Sequence, residues 1–235
     1  MGDKVIGVIG GMGPEATVEL MRRIIAATPA TDDADHIRMI VDNNPKVPSR
    51  IKALIEGDGD DPGPVLAAMA RGLETAGAEI LVIPCNTAHH YLPVVQAAVT
   101  VPVLDVVELT AARLVTHAPP LRRIGMLASP AVRLVGLFDR QFPAHDLTLL
   151  YPPEADQTVV LNLIRDVKAG RVSNARIAAY NAVAQRLVTA GADALLIACT
   201  ELSTLAVPQT GVPIVDTLEV LVHAVINAAK QTESV

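Results

Sequence analysis

The sequence predicts an α/β protein: two pseudo-symmetric three-layer α/β domains with parallel sheets, and an active site in the cleft between them. Three observations carry this expectation. Hydrophobic residues make up 51% of the 235 residues but aromatics only 2%, so the core is Val, Ile, Leu and Ala, the composition of buried parallel strands. Short apolar runs alternate with helix-like patterns along the whole chain. The chain also contains an internal duplication. Thr75-Ala76-Gly77-Ala78-Glu79 precedes the apolar run 80–83, and Thr189-Ala190-Gly191-Ala192-Asp193 precedes the run 195–198. The only two cysteines, Cys85 and Cys199, come after these runs, and the copies stand a constant 114 residues apart (Thr75 to Thr189, Cys85 to Cys199).

Residues 4–9 read as a buried strand that runs into Gly10-Gly11-Met12-Gly13-Pro14-Glu15-Ala16-Thr17. Pro14 suits the first turn of a helix and Glu15 complements its positive end, so a helix is expected to about residue 27. Gly11-x-Gly13-x-x-Ala16 also fits a dinucleotide fingerprint. The acid required about 20 residues on has only Asp42 as a candidate, so the turn reads instead as backbone N–H groups presented to an anion. Residues 37–41 form a second strand. It leads into Asp42-Asn43-Asn44-Pro45-Lys46-Val47-Pro48-Ser49-Arg50, whose two prolines make it an extended loop of the active-site kind. Arg50 opens a short helical stretch and taken alone reads as a solvated charge. The segment 57–64 is a turn-rich linker whose aspartates lack the spacing and terminal Glu of a calcium loop. A helix over 65–76 leads to the first cysteine strand.

Val101-Pro102-Val103-Leu104-Asp105 is a fourth apolar strand, echoed by Val212-Pro213-Ile214-Val215-Asp216, with Glu108 and Glu219 three residues beyond. A helix over 108–116 reaches the stiff connector Ala118-Pro119-Pro120. Arg123-Ile124-Gly125-Met126-Leu127-Ala128-Ser129-Pro130 then repeats the strand-into-turn pattern of residues 6–14. Residues 147–150 form a strand, and Tyr151-Pro152-Pro153 matches the loop after the second strand. A helix from about residue 157 ends at Lys168-Ala169-Gly170, with Lys in the last turn and Gly just past it. Lys168 suits that helix end as a plain cation. Ser173 caps a helix to about residue 189. The second cysteine strand, the 212–216 strand and a last helix over 218–230 close the chain.

Net charge is −6, and no dense Lys/Arg cluster suggests a nucleic-acid surface. No apolar run approaches the roughly 20 residues that span a bilayer. The first residues show no cleavage site, and Ile6 breaks the myristoylation pattern. The expectation is a soluble cytoplasmic protein with neither nucleic-acid nor membrane partners, whose cysteines are free thiols.

In parallel sheets ligands bind at the carboxyl ends of the strands. Both cysteines sit there, with the Gly11 and Ser129 turns and the Asn43 loop. Two facing halves place Cys85 and Cys199 on opposite sides of one cleft. Helix N-termini lower the pKa of a cysteine, and both cysteines precede predicted helices. One thiolate can then remove a proton from one face of a carbon while the opposed thiol returns one to the other face. The α-proton of an amino acid is weakly acidic, so the enolate-like transition state needs donors around the carboxylate. Turn amides and the side chains of Asn86, Thr87 and Thr200 are of the right type. The two thiols titrate as a coupled pair. His89 and His90 read as packing or surface residues of the next helix, with His89 also placed to orient the loop.

The motifs 10–17, Pro84-Cys85-Asn86-Thr87-Ala88-His89 and Ala198-Cys199-Thr200-Glu201-Leu202 resemble the aspartate/glutamate racemase family. The Met-Gly-Pro and Cys-Thr-Glu-Leu forms resemble its aspartate racemase branch, and the resemblance covers nearly the whole chain. It implies interconversion of L- and D-aspartate, with glutamate as a second substrate, by proton transfer between Cys85 and Cys199. It implies no cofactor, neither pyridoxal phosphate nor metal, and usually a homodimer. It implies that the last strand and helix return to the first domain, giving domains 1–103 plus 213–235 and 104–212. It also implies that Arg50 and Lys168 recognise the side-chain carboxylate. Met12, Gly13, Asn43, Asn86, Thr87, Ser129, Thr200 and Glu201 complete the expected substrate-binding set. Ser129 lies in Ala128-Ser129-Pro130-Ala131, where relatives carry a Thr-rich turn. Rival readings are an isomerase or decarboxylase of a small dicarboxylate on the same fold, and a non-catalytic amino-acid or dicarboxylate binding module. Two intact cysteines count against both.

Overall fold

The computed structural model describes residues 2–231. In the first half, β1 (Ile6–Gly10) is flanked in parallel by β2 (Met39–Asn43) and β3 (Ile80–Val82). In the second, β4 (Arg123–Ala128) lies between β5 (Thr148–Leu150) and β6 (Ala194–Ala198), and β7 (Ile214–Asp216) adds outside β6, again all parallel. The helices are α1 (Pro14–Ala27), α2 (Gly63–Thr75), α3 (Leu92–Gln96), α4 (Val106–Val115), α5 (Pro130–Leu134), α6 (Glu154–Lys168), α7 (Asn174–Thr189) and α8 (Thr217–Lys230). None among the described residues is long and apolar enough to cross a membrane.

Strand alternation sorts the core into three clusters. Ile6 and Val8 of β1, Ile124 and Met126 of β4, and Leu196 and Ala198 of β6 face one central cluster, which contains residues of α1, α4 and α8. Ile9 and Leu81 point the other way, onto α2 and α3. Leu127, Leu195 and Ile197 point onto α6 and α7. The central helices are therefore shared between the two sheets.

The duplication is visible atom by atom. A Cβ on Gly7 would stand 2.5 Å from Leu81, 2.7 Å from Ala78 and 3.3 Å from Leu73. A Cβ on Gly125 would stand 2.6 Å from Leu195 and 3.2 Å from both Ala192 and Leu187. The partners repeat at the same 114-residue spacing. Each glycine lets its central strand lie directly under the loop before the cysteine strand. Asp105 and Asp216 likewise cap α4 and α8, accepting from Val107 N and Leu218 N at 2.9 Å each.

Three expectations are corrected. The second strand spans Met39–Asn43 rather than 37–41, because its register is set by pairing Ile6 with Met39 and Gly10 with Asn43. The expected strand 101–105 is reduced to one bridge, Val103 to Leu81. Leu81 N donates to the Pro102 carbonyl and Leu104 N to the Leu81 carbonyl, and the outer ladder stops there. Pro84 stands where the second copy has Ala198 and offers no N–H on the side facing β1, where Ile80 bonds, and β3 ends at Val82. At the expected boundary near residue 213, the last strand and helix part company. β7 hydrogen-bonds to β6 in the second sheet, whereas α8 packs on α1, α4 and β3.

Candidate active site

Cys85 lies just past β3 and Cys199 directly after β6, both at carboxyl ends of strands. Both are free and 7% exposed. They open onto a single cavity of about 470 Å³ between the two halves. Two bonds across the halves hold the thiol-bearing turns in register. Thr200 Oγ1 donates to the Pro84 carbonyl at 3.0 Å. Asn86 Nδ2 donates to Thr217 Oγ1 at 2.8 Å, and that hydroxyl donates to the Ile197 carbonyl at 3.0 Å.

The expected substrate-binding residues divide. Met12, Gly13, Arg50, Thr87, Ser129, Lys168 and Glu201 line the cavity with the two cysteines. Asn43, Asn86 and Thr200 are not in its wall. Asn43 is exposed at the end of β2, and it is the backbone of Asn44 that lies against Gly11, whose φ is +93°. Asn86 and Thr200 are buried in the cross-links between the halves. The N-terminus of α1, residues 14–16, opens into the cavity, which suits the carboxylate of a substrate. Among the described residues no cluster of three or more His, Cys, Asp or Glu is arranged to hold a metal ion.

The cations differ in their partners. Lys168 forms an ion pair with Glu201 Oε1, while Cys199 Sγ donates to Glu201 Oε2 at 3.0 Å. Burial disfavours the Lys168 ammonium, yet the adjacent Glu201 carboxylate outweighs it and the pKa rises. Arg50 donates to the carbonyls of Pro48 at 2.8 Å and Val47 at 3.3 Å. Its Nε is buried without a partner, and it makes no ion pair among the described residues.

The expectation that helix N-termini lower both thiol pKa values meets a correction at Cys199. Beyond Cys199 the chain makes a turn and then the single 3-10 turn Leu202–Thr204, too short to carry a dipole of weight. Burial and then the Glu201 carboxylate push the Cys199 thiol well above its ordinary range. After Cys85 the chain forms the 3-10 turn Asn86–Tyr91. There His89, fully buried, donates from Nδ1 to the Cys85 carbonyl at 3.0 Å and accepts from Val106 N at Nε2 at 3.3 Å. Burial lowers its pKa, so it is a neutral strut behind the cysteine turn. The sequence reading missed the apolar wall from Val47, Ile51, Ile164 and Val167. The i, i+3, i+4 spacing of Ile164, Val167 and Lys168 on α6 was the available signal.

This fold, with its cavity between two repeated halves, is that of an isomerase, an amino-acid racemase. The chain belongs to the Asp/Glu/Hydantoin racemase family, whose model matches residues 9–225. It is 25% identical over 228 residues to the broad specificity amino-acid racemase RacX of Bacillus subtilis, covering 95% of this chain and 97% of that protein. The Picrophilus torridus aspartate racemase structure superposes with a TM-score of 0.82 at 28% identity, covering 97% of this chain and 94% of that one. Glutamate racemase from Francisella tularensis, solved with D-glutamate, has a TM-score of 0.63 at 18% identity, with 99% and 84% covered, a likeness of fold.

Proposed function

We propose that the protein interconverts L- and D-aspartate, with glutamate as the main competitor, by two-base proton transfer between Cys85 and Cys199 and without pyridoxal phosphate or metal. The observation that carries this reading is that two equally buried thiols open onto one cavity from repeated strands. One sulfur, as thiolate, takes the α-hydrogen. The other, as thiol, gives its proton to the opposite face of the enolate-like carbanion. Glu15, Ala16 and Thr87 line the cavity, and in this reading the amides at the start of α1 and the Thr87 hydroxyl meet the α-carboxylate. Arg50, free of a carboxylate partner, holds the distal carboxylate bidentately. The likeness to an aspartate racemase supports the substrate. The working form in this reading is a cytoplasmic homodimer.

A second reading, a broad amino-acid range, is favoured by the apolar wall and by the prior engagement of Lys168 with Glu201. RacX carries that description. One assay decides between them: loss of optical rotation from pure L-aspartate, L-glutamate, L-asparagine and L-alanine at constant total amino acid. Aspartate is expected to racemise fastest and alanine poorly, with activity surviving EDTA and carbonyl reagents and abolished by thiol alkylation. Equal rates on alanine and aspartate establish the broad reading. Consumption of amino acid, or zinc-restored activity after EDTA, overturns both.

A further inference from the structure

The repeat breaks its own symmetry beside the thiols. At the 114-residue spacing, Cys199 corresponds to Cys85 and Glu201 to Thr87. One thiol therefore has a carboxylate two residues on, and the other a hydroxyl. Glu201 is paired through Oε1 with the Lys168 ammonium, and a carboxylate held in an ion pair only accepts hydrogen bonds. The 3.0 Å contact from Cys199 Sγ to Glu201 Oε2 then requires the proton to be on sulfur. Cys85 Sγ has no side-chain hydrogen-bond partner among the described residues. The ionisable groups electrostatically coupled to Cys199 are Glu201 on its own turn, Lys168 on α6, Cys85 across the cavity and Tyr180 on α7.

We infer that Glu201 holds Cys199 as the protonated thiol in the substrate-free enzyme, so that Cys85 is the first base and the free enzyme is set for the enantiomer whose α-hydrogen faces Cys85. This rests on the two-thiol reading. In that turnover Cys85 thiolate gains the α-hydrogen and Cys199 loses its own proton to the carbanion. The enzyme is left with a thiol at Cys85 and a thiolate beside Glu201. Return to the resting form moves one proton from Cys85 to Cys199, directly or through solvent. Lys168 tempers the carboxylate, and a substrate carboxylate that draws Lys168 away strengthens the hold of Glu201 on the Cys199 proton. Glu201 is thus a positioning residue for the proton, in addition to lining the cavity.

Steady-state asymmetry cannot report this, because enantiomers have equal free energy and kcat/KM must be equal in the two directions. Thiol ionisation can. Substrate-free full-length protein is treated with iodoacetamide across roughly pH 6–10, and alkylation is tracked at each cysteine by peptide mass spectrometry. Equal exposure of the two cysteines makes the pH midpoint, rather than the absolute rate, the readout. The Cys199 midpoint is expected above that of Cys85, with correspondingly less thiolate at neutral pH. Glu201→Gln is expected to lower the Cys199 midpoint and Lys168→Met to raise it, with Cys85 moving little. Opposite shifts are not what loss of packing produces. A Cys199 midpoint at or below that of Cys85, or one indifferent to Glu201→Gln, overturns the inference. Should Glu201→Gln not fold, a Lys168→Met midpoint that stays or falls does so. Equal midpoints in an enzyme that Cys85→Ser and Cys199→Ser each inactivate overturn this inference alone. Racemisation surviving in either serine variant overturns the two-thiol reading beneath it.

Discussion

Four side chains bear most directly on the chemistry. In the two-thiol mechanism neither cysteine replaces the other, because each addresses one face of the α-carbon. Cys85→Ser and Cys199→Ser are each expected to lower racemisation by about 10²–10⁴-fold, the scale of a lost general acid–base group. In D2O each variant is expected to exchange the α-hydrogen of one enantiomer without inversion, and a different enantiomer for the two. A variant that racemises aspartate near the wild-type rate sinks the mechanism. Arg50→Ala removes a charge-assisted contact of about 1.5–3 kcal/mol, so the KM for aspartate should rise about 10- to 100-fold with little change for alanine. An unchanged KM for aspartate rules out the assignment of Arg50. His89 supports Cys85 only as a neutral imidazole. Its pKa is depressed by burial, so the unfolded chain takes up a proton first as pH falls. Its contribution is full above its usual 6.5 and is lost as pH drops toward the folded value. Thermal stability should therefore decline below about pH 6.5 less steeply in His89→Gln than in the wild type. Parallel pH profiles count against the neutral strut.

At the scale of elements, the repeat is a packing rule as well as a sequence pattern. Gly7 and Gly125 lie in β1 and β4 over equivalent Leu, Ala and Leu side chains, with approaches as close as 2.5 and 2.6 Å. An added methyl must push the cysteine strand or the helix before it. Gly7→Ala and Gly125→Ala should each cost about 1–3 kcal/mol in urea unfolding, and by similar amounts. If one substitution costs nothing, the two halves are not packed equivalently at this point. Where the copies differ, the difference is also local. Pro84 stands in place of Ala198 and β3 is short, with Val103 a lone bridge outside it, while β6 runs on and pairs with β7. The same proline supplies the carbonyl that Thr200 grips, so the shortened strand end is where the two thiol turns are joined.

For the whole molecule, the central cluster ties the two sheets through α1, α4 and α8. Arg23 on α1 reinforces it, pairing with Glu19 at 2.7 Å and Asp216 at 2.8 Å and donating to the Ser203 carbonyl just beyond the Cys199 turn. The cavity therefore lies between units that share one core. Urea unfolding monitored by far-UV dichroism and by alkylation of the buried thiols should give coincident transitions. Two separated transitions would mean that the halves fold independently and that the shared cluster is not a single core.

The sequence by itself determined the α/β class, the duplication and the two cysteine turns, because these rest on local terms: apolar runs, glycine and proline punctuation, and a fixed spacing. Ser173, Gly170 and Pro14 mark their helix ends as read, since caps act within one turn. The tertiary structure alone decided what lies between the copies. Asn86 and Thr200 have the chemistry of substrate donors, but cross-half partners consume their hydrogen bonds. The segment 101–105 is apolar enough to pair, but it meets β3 only around Leu81, through one bridge. Above all, Glu201 was legible as part of a cysteine motif and not as the residue that links Lys168 to Cys199. That link depends on α6 arriving from 33 residues away to neutralise a buried carboxylate. Charge pairing at such separations is set by the packed core, which no local pattern encodes.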